Sequence, residues 1–397
     1  MKIDYSELSN RTKSSEIREL LKYTRIKDII SFAGGLPDPS LFPIKGVTRI
    51  TKEVLQEKGY LALQYGPTIG EIDFIEAIKD HTKQFGEEVE LDQICVTSSS
   101  QQGLDLVSLV MLNAGDEIIL ELPSYLGALQ AFERTGCVMN GIPMQTDGMD
   151  IDFLVNVIEN KIKEGKKIKF IYTIPDYQNP SGIILSKEKR LKLIEIAQKY
   201  EIPIIEDSPY RELCYNNLKE PSLWTLANGK GIIQVKTLSK MLFPGMRIGW
   251  IVAQKDIINK FSLMKQSVDL CSPTINQLII ARYMQEGLMK STIDKAIDLY
   301  SEKSMCMINA LRKYMPEGVK WSEPTGGVFL WVKLPEHMDA KELVAKAAEN
   351  KVIYVTGKPF HCDESGKNTL RLNYSFPSQE QIEIGISRLA DTIKEFS

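Results

Sequence analysis

The stretch Ile94-Cys95-Val96-Thr97-Ser98-Ser99-Ser100-Gln101-Gln102-Gly103 leads into an apolar run from Leu104 to Leu112, and Asn113-Ala114-Gly115-Asp116 closes it. Four β-branched or apolar residues read as a strand, the serine-rich stretch as a polar turn, and the apolar run as a buried helix that the glycine stops. The same rhythm repeats downstream. Glu117 to Leu120 predicts a strand, Pro123-Ser124-Tyr125 a turn, Leu126 to Thr135 a helix and Val138 to Pro143 a strand. Strands follow at Ile168 to Ile174, Ile202 to Ile205, Gly231 to Val235 and Ile248 to Ala253, with a helix from Ser186 to Tyr200. Strands alternating with helices at this spacing predict an α/β fold with a mainly parallel, doubly wound sheet. In such sheets ligands sit at the carboxyl ends of the strands, so the polar turns just named become the candidate site.

Upstream, Ser14 to Tyr23 predicts an amphipathic helix, capped by Ser14, with Glu16 in its first turn and Ile17, Leu20 and Leu21 as its stripe. Helices are also expected at Thr48 to Lys58 and Ile72 to Thr82. Between them, Phe32-Ala33-Gly34-Gly35-Leu36-Pro37 and Tyr65-Gly66-Pro67 read as loops. Beyond Ile258 the rhythm changes. Helices at 276–286 and 293–314 lead to short strands around Val319 to Trp321, Gly327 to Val332, Val352 to Val355 and Thr369 to Asn373. A helix is expected at Ala340 to Glu349, and a last one opens with the Ser378/Gln381 capping box. This part predicts a smaller α+β domain. The boundaries expected are 46–285 for the large domain, with 1–45 and 286–397 forming the small one.

Composition narrows the class. With 397 residues, 43% hydrophobic and 25% charged, the chain can bury a large core. A net charge of −3 argues against a nucleic-acid surface. Three separated histidines (His81, His337, His361) argue against a histidine metal site or triad. Six cysteines without C-x-x-C spacing read as free thiols in a reducing, cytoplasmic setting. No apolar run reaches the roughly 18 residues of a membrane helix.

The chemistry gathers around Thr237-Leu238-Ser239-Lys240 and the following Pro244-Gly245-Met246-Arg247. Two hydroxyls, a lysine and an arginine at a strand end suit an anchored phosphate beside a reactive amine. Ser99, Ser100 and Gln101 at a helix start add hydroxyls and backbone N–H groups. Asp207 ends a buried strand, where a carboxylate suits a protonated ring nitrogen. Asn179 and Tyr210 stand in strand-end loops, and Tyr125 in another. Arg371 interrupts an apolar strand, which is costly unless it is paired.

The motif Val235-Lys236-Thr237-Leu238-Ser239-Lys240 with Pro244 to Gly249 resembles the cofactor-lysine signature of the class I/II aminotransferases, the fold-type I pyridoxal phosphate enzymes. Tyr177-Gln178-Asn179-Pro180-Ser181-Gly182, Glu206-Asp207-Ser208-Pro209-Tyr210 and Leu370-Arg371-Leu372-Asn373-Tyr374 are similar to other motifs of that family. The likeness covers nearly the whole chain in the family's order. Thr237 stands where serine is commoner and Ser181 where threonine is, and neither loses a hydroxyl.

The resemblance implies pyridoxal 5'-phosphate as cofactor and an amino acid:2-oxo acid transamination by a ping-pong mechanism, with 2-oxoglutarate as acceptor. It implies Lys240 as the Schiff-base lysine and proton carrier, Asp207 on the ring nitrogen, Asn179 and Tyr210 on the ring oxygen, and Tyr125 stacking on the ring. Ser99, Ser100, Gln101, Thr237, Ser239 and Arg247 would surround the phosphate, and Arg371 with Asn179 would bind the substrate carboxylate. Tyr65 matches a tyrosine that reaches the phosphate of a neighbouring subunit, which implies a homodimer with shared sites. Within the family, Ser31 to Pro37 with Ser100 to Gly103 is most similar to the 2-aminoadipate/kynurenine/aromatic branch, where the N-terminal segment caps the pocket. There Gly35 would border the substrate, and Arg18 or Arg25 would contact an acidic side chain. A β-lyase or racemase acting on the same cofactor is an alternative. An aminotransferase-like regulatory domain is another, against which stands the short, non-basic stretch ahead of Gly34.

Overall fold

A computed structural model describes residues 3–12, 27–216 and 219–396. The expected helix at Ser14 to Tyr23, with Arg18 and Arg25, lies outside the described residues.

Eight strands form one sheet, in the order Ile94–Thr97, Gly249–Val252, Ile232–Thr237, Ile204–Ser208, Ile168–Thr173, Glu117–Leu122, Val138–Gln145 and Gly148–Met149. The five strands from Ile232–Thr237 to Val138–Gln145 run parallel. Ile94–Thr97, Ile204–Ser208 and Ile232–Thr237 are buried at every position, as strands covered on both faces by helices must be. Gly249–Val252 is the exception in direction, lying antiparallel to both of its neighbours. Its beginning therefore lies at the same sheet edge as the ends of the parallel strands.

Helices bury the stripes that the spacing foretold. In Lys187–Lys199, Leu193, Ile194 and Ala197 are buried, and the Ser186 hydroxyl accepts from Lys189 N–H. Gln379–Glu395 keeps its Ser378/Gln381 capping box and buries Ile382, Ile386, Leu389 and Ile393.

Three departures have physical reasons. The polar turn expected at Ser98 to Gly103 is helix from Ser99 onward, Ser99–Met111: Gln102 Oε1 accepts from Ser98 N–H at 2.6 Å across its first turn, and Gly103 lets the helix pack closely on Val235. Two long helices are absent from the sequence expectations, Ile151–Lys163 and Lys255–Val268, as are the short Glu7–Arg11 and Leu223–Leu226. The first carries its own signals, an Asp150 N-cap and buried Ile151, Leu154 and Ile158. The second buries Ile258, Phe261 and the charged Lys265, and that lysine broke its apolar stripe.

The remaining strands form an antiparallel sheet in the order Lys320–Trp321, Phe329–Lys333, Thr369–Asn373, Val355–Thr356. The short strand Ile30–Ser31 pairs in parallel with Val352–Ile353, so the N-terminal loop lies beside this second sheet. Among the described residues no helix is long and apolar enough to cross a membrane, and no cluster of metal-ligating side chains is present.

Candidate active site

A cavity of about 360 Å³ opens where the carboxyl ends of the parallel strands meet the second sheet. Strand ends supply most of its wall. Thr97 leads to Ser99, Ser100 and Gln101, Leu122 to Tyr125, Thr173 to Ile174 and Asn179, and Thr237 to Ser239 and Lys240. Asp207 comes from within Ile204–Ser208, and Pro209 and Tyr210 follow it. Because Gly249–Val252 runs the other way, Arg247 arrives at the same edge from its start. Gly249 must be glycine here, since a Cβ would stand 2.5 Å from the Lys236 carbonyl oxygen and 2.8 Å from Ser99 backbone. The second sheet contributes Phe329 and Arg371, and the N-terminal loop contributes Gly35.

Of the sixteen residues singled out in the sequence, thirteen line this one cavity and Tyr65 does not. Tyr65 lies on the loop after the helix Ile44–Ala62, is 77% exposed, and stands apart from the cavity of its own chain. Arg18 and Arg25 lie outside the described residues.

At one end of the cavity the Ser99, Thr237 and Ser239 hydroxyls bond one another at 2.9 Å each. Ser98 gives the helix beginning at Ser99 no side-chain cap. Arg247 bonds the Pro244 carbonyl at 3.3 Å and has no carboxylate partner among the described residues. Hydroxyls, uncapped helical N–H groups and a free cation together make a site for a dianion.

Deeper in, the buried Asp207 accepts from the Tyr172 hydroxyl at 2.8 Å on Oδ2, while Oδ1 has no partner. Burial pushes its carboxyl up to about 7, against an ordinary 3.8. A cation placed at Oδ1 would restore the ionised form. Asn179 Nδ2 donates to the Tyr210 hydroxyl at 3.3 Å, and Gln101 Nε2 donates to the Gly127 carbonyl at 2.9 Å.

Lys240 Nζ donates to the Gly35 carbonyl at 2.7 Å. Desolvation first, then the charges of Arg371 and Arg247, push its ammonium down to about 8. Arg371 spreads its fork between Asn179 Oδ1 and the Ala33 carbonyl, both at 2.9 Å. It lies 4.0 Å over the Phe329 ring and 5.0 Å over Phe360, and its Nε has no partner. A buried guanidinium held by neutral oxygens and ring faces is prepared for an anion that the protein does not supply.

These groups fit pyridoxal phosphate: a dianion site, an orphaned carboxylate oxygen for a ring cation, donors for a ring oxygen and an amine of lowered basicity for an aldehyde. Tyr172, Phe329 and Phe360 were not foreseen. Phe329 and Phe360 are apolar, and no residue-type signal separates them from core; Tyr172 sits within a strand buried at every position but Lys169.

The family model for aminotransferase class I and II matches residues 30–389. The chain is 43% identical to aromatic-amino-acid aminotransferase 1 of Thermococcus litoralis, over 98% of this chain and 94% of that one. Its structure superposes with a TM-score of 0.95 on Pyrococcus horikoshii kynurenine aminotransferase, solved in complex with PMP, at 40% identity over 99% and 97% of the two chains. The α-aminoadipate aminotransferase of Thermus thermophilus, solved with N-(5'-phosphopyridoxyl)-L-leucine, gives 0.92 at 35% identity over 98% and 97%. This chain belongs to the class I and II aminotransferases, pyridoxal phosphate enzymes of the fold-type I architecture.

Proposed function

We propose that this aminotransferase moves the amino group of an L-amino acid with an aromatic, 2-aminoadipate-type or branched side chain to 2-oxoglutarate, in two half-reactions sharing one cavity. The observation that carries the reading is the convergence of Lys240, Asp207 and Arg371, from three distant segments, on a single cavity. When bound, pyridoxal phosphate supplies the electron sink for the pair left at the substrate Cα. The rest falls to the protein. Ser99, Ser100, Gln101, Thr237, Ser239 and Arg247 hold the phosphate, and Tyr125 covers the ring. Asp207 keeps the ring nitrogen protonated, and Asn179 and Tyr210 donate to the ring oxygen. Arg371, with Asn179, clamps the substrate carboxylate and so fixes which Cα bond faces Lys240. Lys240 would hold the cofactor through its amine and, once freed, would carry the proton taken from the substrate Cα.

The wall beside Arg371 favours an aromatic donor. Phe329 and Phe360 flank the guanidinium, and at Gly35 a Cβ would meet Phe329 at 2.7 Å, so only a glycine lets the loop pack this closely on that ring. An acidic side chain would need a further cation, for which Arg18 or Arg25 are the candidates. The relatives named for aromatic, kynurenine and α-aminoadipate donors support this range. The test is a panel of donors with 2-oxoglutarate, reading the bound cofactor's absorbance on adding donor alone. Spectral conversion without release of ammonia supports transamination; pyruvate and ammonia from a donor with a β leaving group would point to elimination. Full activity in Lys240→Ala would overturn the role given to that lysine.

The working unit is a homodimer in which Tyr65 reaches the partner's phosphate site. Its 77% exposure and the exposed Tyr60 and Leu63 nearby support that contact. The chain divides into a large domain, 46–285, and a small one, 1–45 with 286–397, a reading supported by the pairing of Ile30–Ser31 with Val352–Ile353. The free state of all six cysteines supports a cytoplasmic setting.

A further inference from the structure

The loop from Phe32 to Asp38 borders the reactive amine yet has no regular structure to hold it, and two glycines loosen it further. Its position is imposed from outside. The Phe32 carbonyl accepts from Asn373 N–H at 2.9 Å, the Ala33 carbonyl from Arg371 at 2.9 Å, and the Leu36 carbonyl from the Ser375 hydroxyl at 2.8 Å. At its far end Asp38 N–H donates to the Tyr300 hydroxyl at 3.0 Å, and the Asp38 carboxylate accepts from Lys303 Nζ at 2.5 Å. Lys303 also donates to the Ser375 carbonyl at 2.8 Å. One ammonium thus joins the capping loop to the turn that follows the Arg371 strand. The Gly35 carbonyl points the other way, to Lys240.

We infer that the Lys303–Asp38 ion pair is a latch that holds the Gly34–Gly35 segment against Lys240, making Lys303 and Asp38 positioning residues for proton transfer. Lys303 does not line the cavity; it acts through the loop. Its side chain is 3% exposed and that of Asp38 16%, so the ammonium keeps its place only while paired. Burial alone would raise the Asp38 carboxyl, but hydrogen bonds from Lys303 and Ser40 outweigh it and hold the group below its usual range. With the pair gone, the loop keeps its grips at Phe32 and Ala33, but the anchors past Gly35, Leu36 on the Ser375 hydroxyl and Asp38 N–H on Tyr300, lose the ammonium that ties them together. The carbonyl that aims the Lys240 amine then loses its fixed direction.

The inference rests on the proton-carrying role proposed for Lys240, and the test separates the two. In Lys303→Met and Asp38→Asn, amide exchange in the cofactor-free protein should quicken in the peptide covering 32–42 and not across the main sheet. In the loaded enzyme kcat should fall about tenfold, the isotope effect with a Cα-deuterated donor should rise, and cofactor affinity should stay as in the wild type. Lys303→Arg, which retains the charge, should restore both readouts. Tyr300→Phe removes only the hydroxyl that accepts from Asp38 N–H and should give a smaller change in the same direction if the first variants fail to fold. Unchanged exchange at 32–42 with an unchanged isotope effect, whatever the melting temperature, overturns the latch alone. Retained activity in Lys240→Ala overturns the Lys240 reading and the latch's target with it.

Discussion

Asp207→Asn makes the deepest test of the site, because its main effect is on the cofactor-free protein. The side chain is buried, holds one hydrogen bond from Tyr172 and leaves Oδ1 without a partner. Its carboxyl rises from an ordinary 3.8 to about 7 in the folded chain. Between those two values the unfolded chain gives up the proton and the folded chain retains it, so stability falls as pH rises through that window. At about 1.4 kcal/mol for each tenfold change, the ceiling on the loss is ~4 kcal/mol. Water entering the cavity should reduce this to about 2 kcal/mol. Asparagine fills the same volume, can still accept from Tyr172 and does not ionise. The cofactor-free variant should therefore gain on the wild type by about 2 kcal/mol between pH 4 and pH 7.5, measured by denaturant unfolding at both. With pyridoxal phosphate the order should invert, because only a carboxylate can meet a ring cation, and the melting temperature of the wild type should rise more. A difference between the two cofactor-free proteins that does not change with pH would refute the placement of this carboxylate as a cost awaiting a cation.

Arg371→Lys keeps the charge but cannot make the fork to Asn179 and Ala33, and should raise KM for the amino donor about a hundredfold in steady-state assays with little change in the cofactor spectrum. Gly35→Ala sets a methyl 2.7 Å from Phe329, and should raise KM for aromatic donors more than for alanine, with a stability cost of roughly 1–3 kcal/mol by thermal melts. For shared sites, Tyr65→Phe should weaken cofactor binding about tenfold. Hybrids of Lys240→Ala with Tyr65→Phe subunits should regain up to half of the native turnover, since one site in each pair is then intact. Hybrids no better than the two parents would refute the sharing.

The parts of the fold legible in the sequence were those where one rule acts alone. Runs such as Ile204-Ile205 and Ile232-Ile233 are apolar on both faces, and only a strand covered on both sides uses them. The helix Lys255–Val268 was not legible because Lys265 sits in its buried stripe, neutralised by Asp269 at 2.7 Å and bonded to Gln102 at 3.3 Å. That compensation is tertiary. The same division holds at the site. Arg371 could be read because a charge in an apolar strand demands a reason, and Lys240 and Asp207 because strand-end hydroxyls and the family's motifs surround them. Phe329 and Phe360 could not, because an aromatic residue beside a buried guanidinium looks like any core residue until Thr369–Asn373 brings Arg371 against it. Glu121 falls in the same class. Its buried carboxylate accepts from Thr173 at 2.5 Å, Ile174 N–H at 3.2 Å and Gln178 at 3.1 Å, tying the Tyr125 loop to the Asn179 loop. Only the pairing of Glu117–Leu122 with Ile168–Thr173 puts those donors in reach.

The titration of Lys240 tests whether the site prepares its amine before any ligand arrives. Three causes lower it, the loss of water around the cavity and then the charges of Arg371 and Arg247, and its hydrogen-bond acceptor is a neutral carbonyl. With the ammonium pushed down to about 8, about a quarter of the amine is neutral at pH 7.5, against about one part in a thousand for a lysine at its ordinary 10.5. The gain in reactive amine is a few hundredfold, and it serves both roles, since the same neutral nitrogen that captures an aldehyde can later take a proton from Cα. In cofactor-free protein the rate of arylation at Lys240, followed by peptide mapping, should rise with pH and level off above about 8. Arg371→Met removes a charge while leaving the apolar surroundings in place, so its inflection should move up but stay below that of solvent lysines, and Arg247→Met should move it the same way. An inflection near 10 in the wild type would refute the preparation of the amine. One that does not move in either variant would assign the whole effect to desolvation and remove the arginines from it.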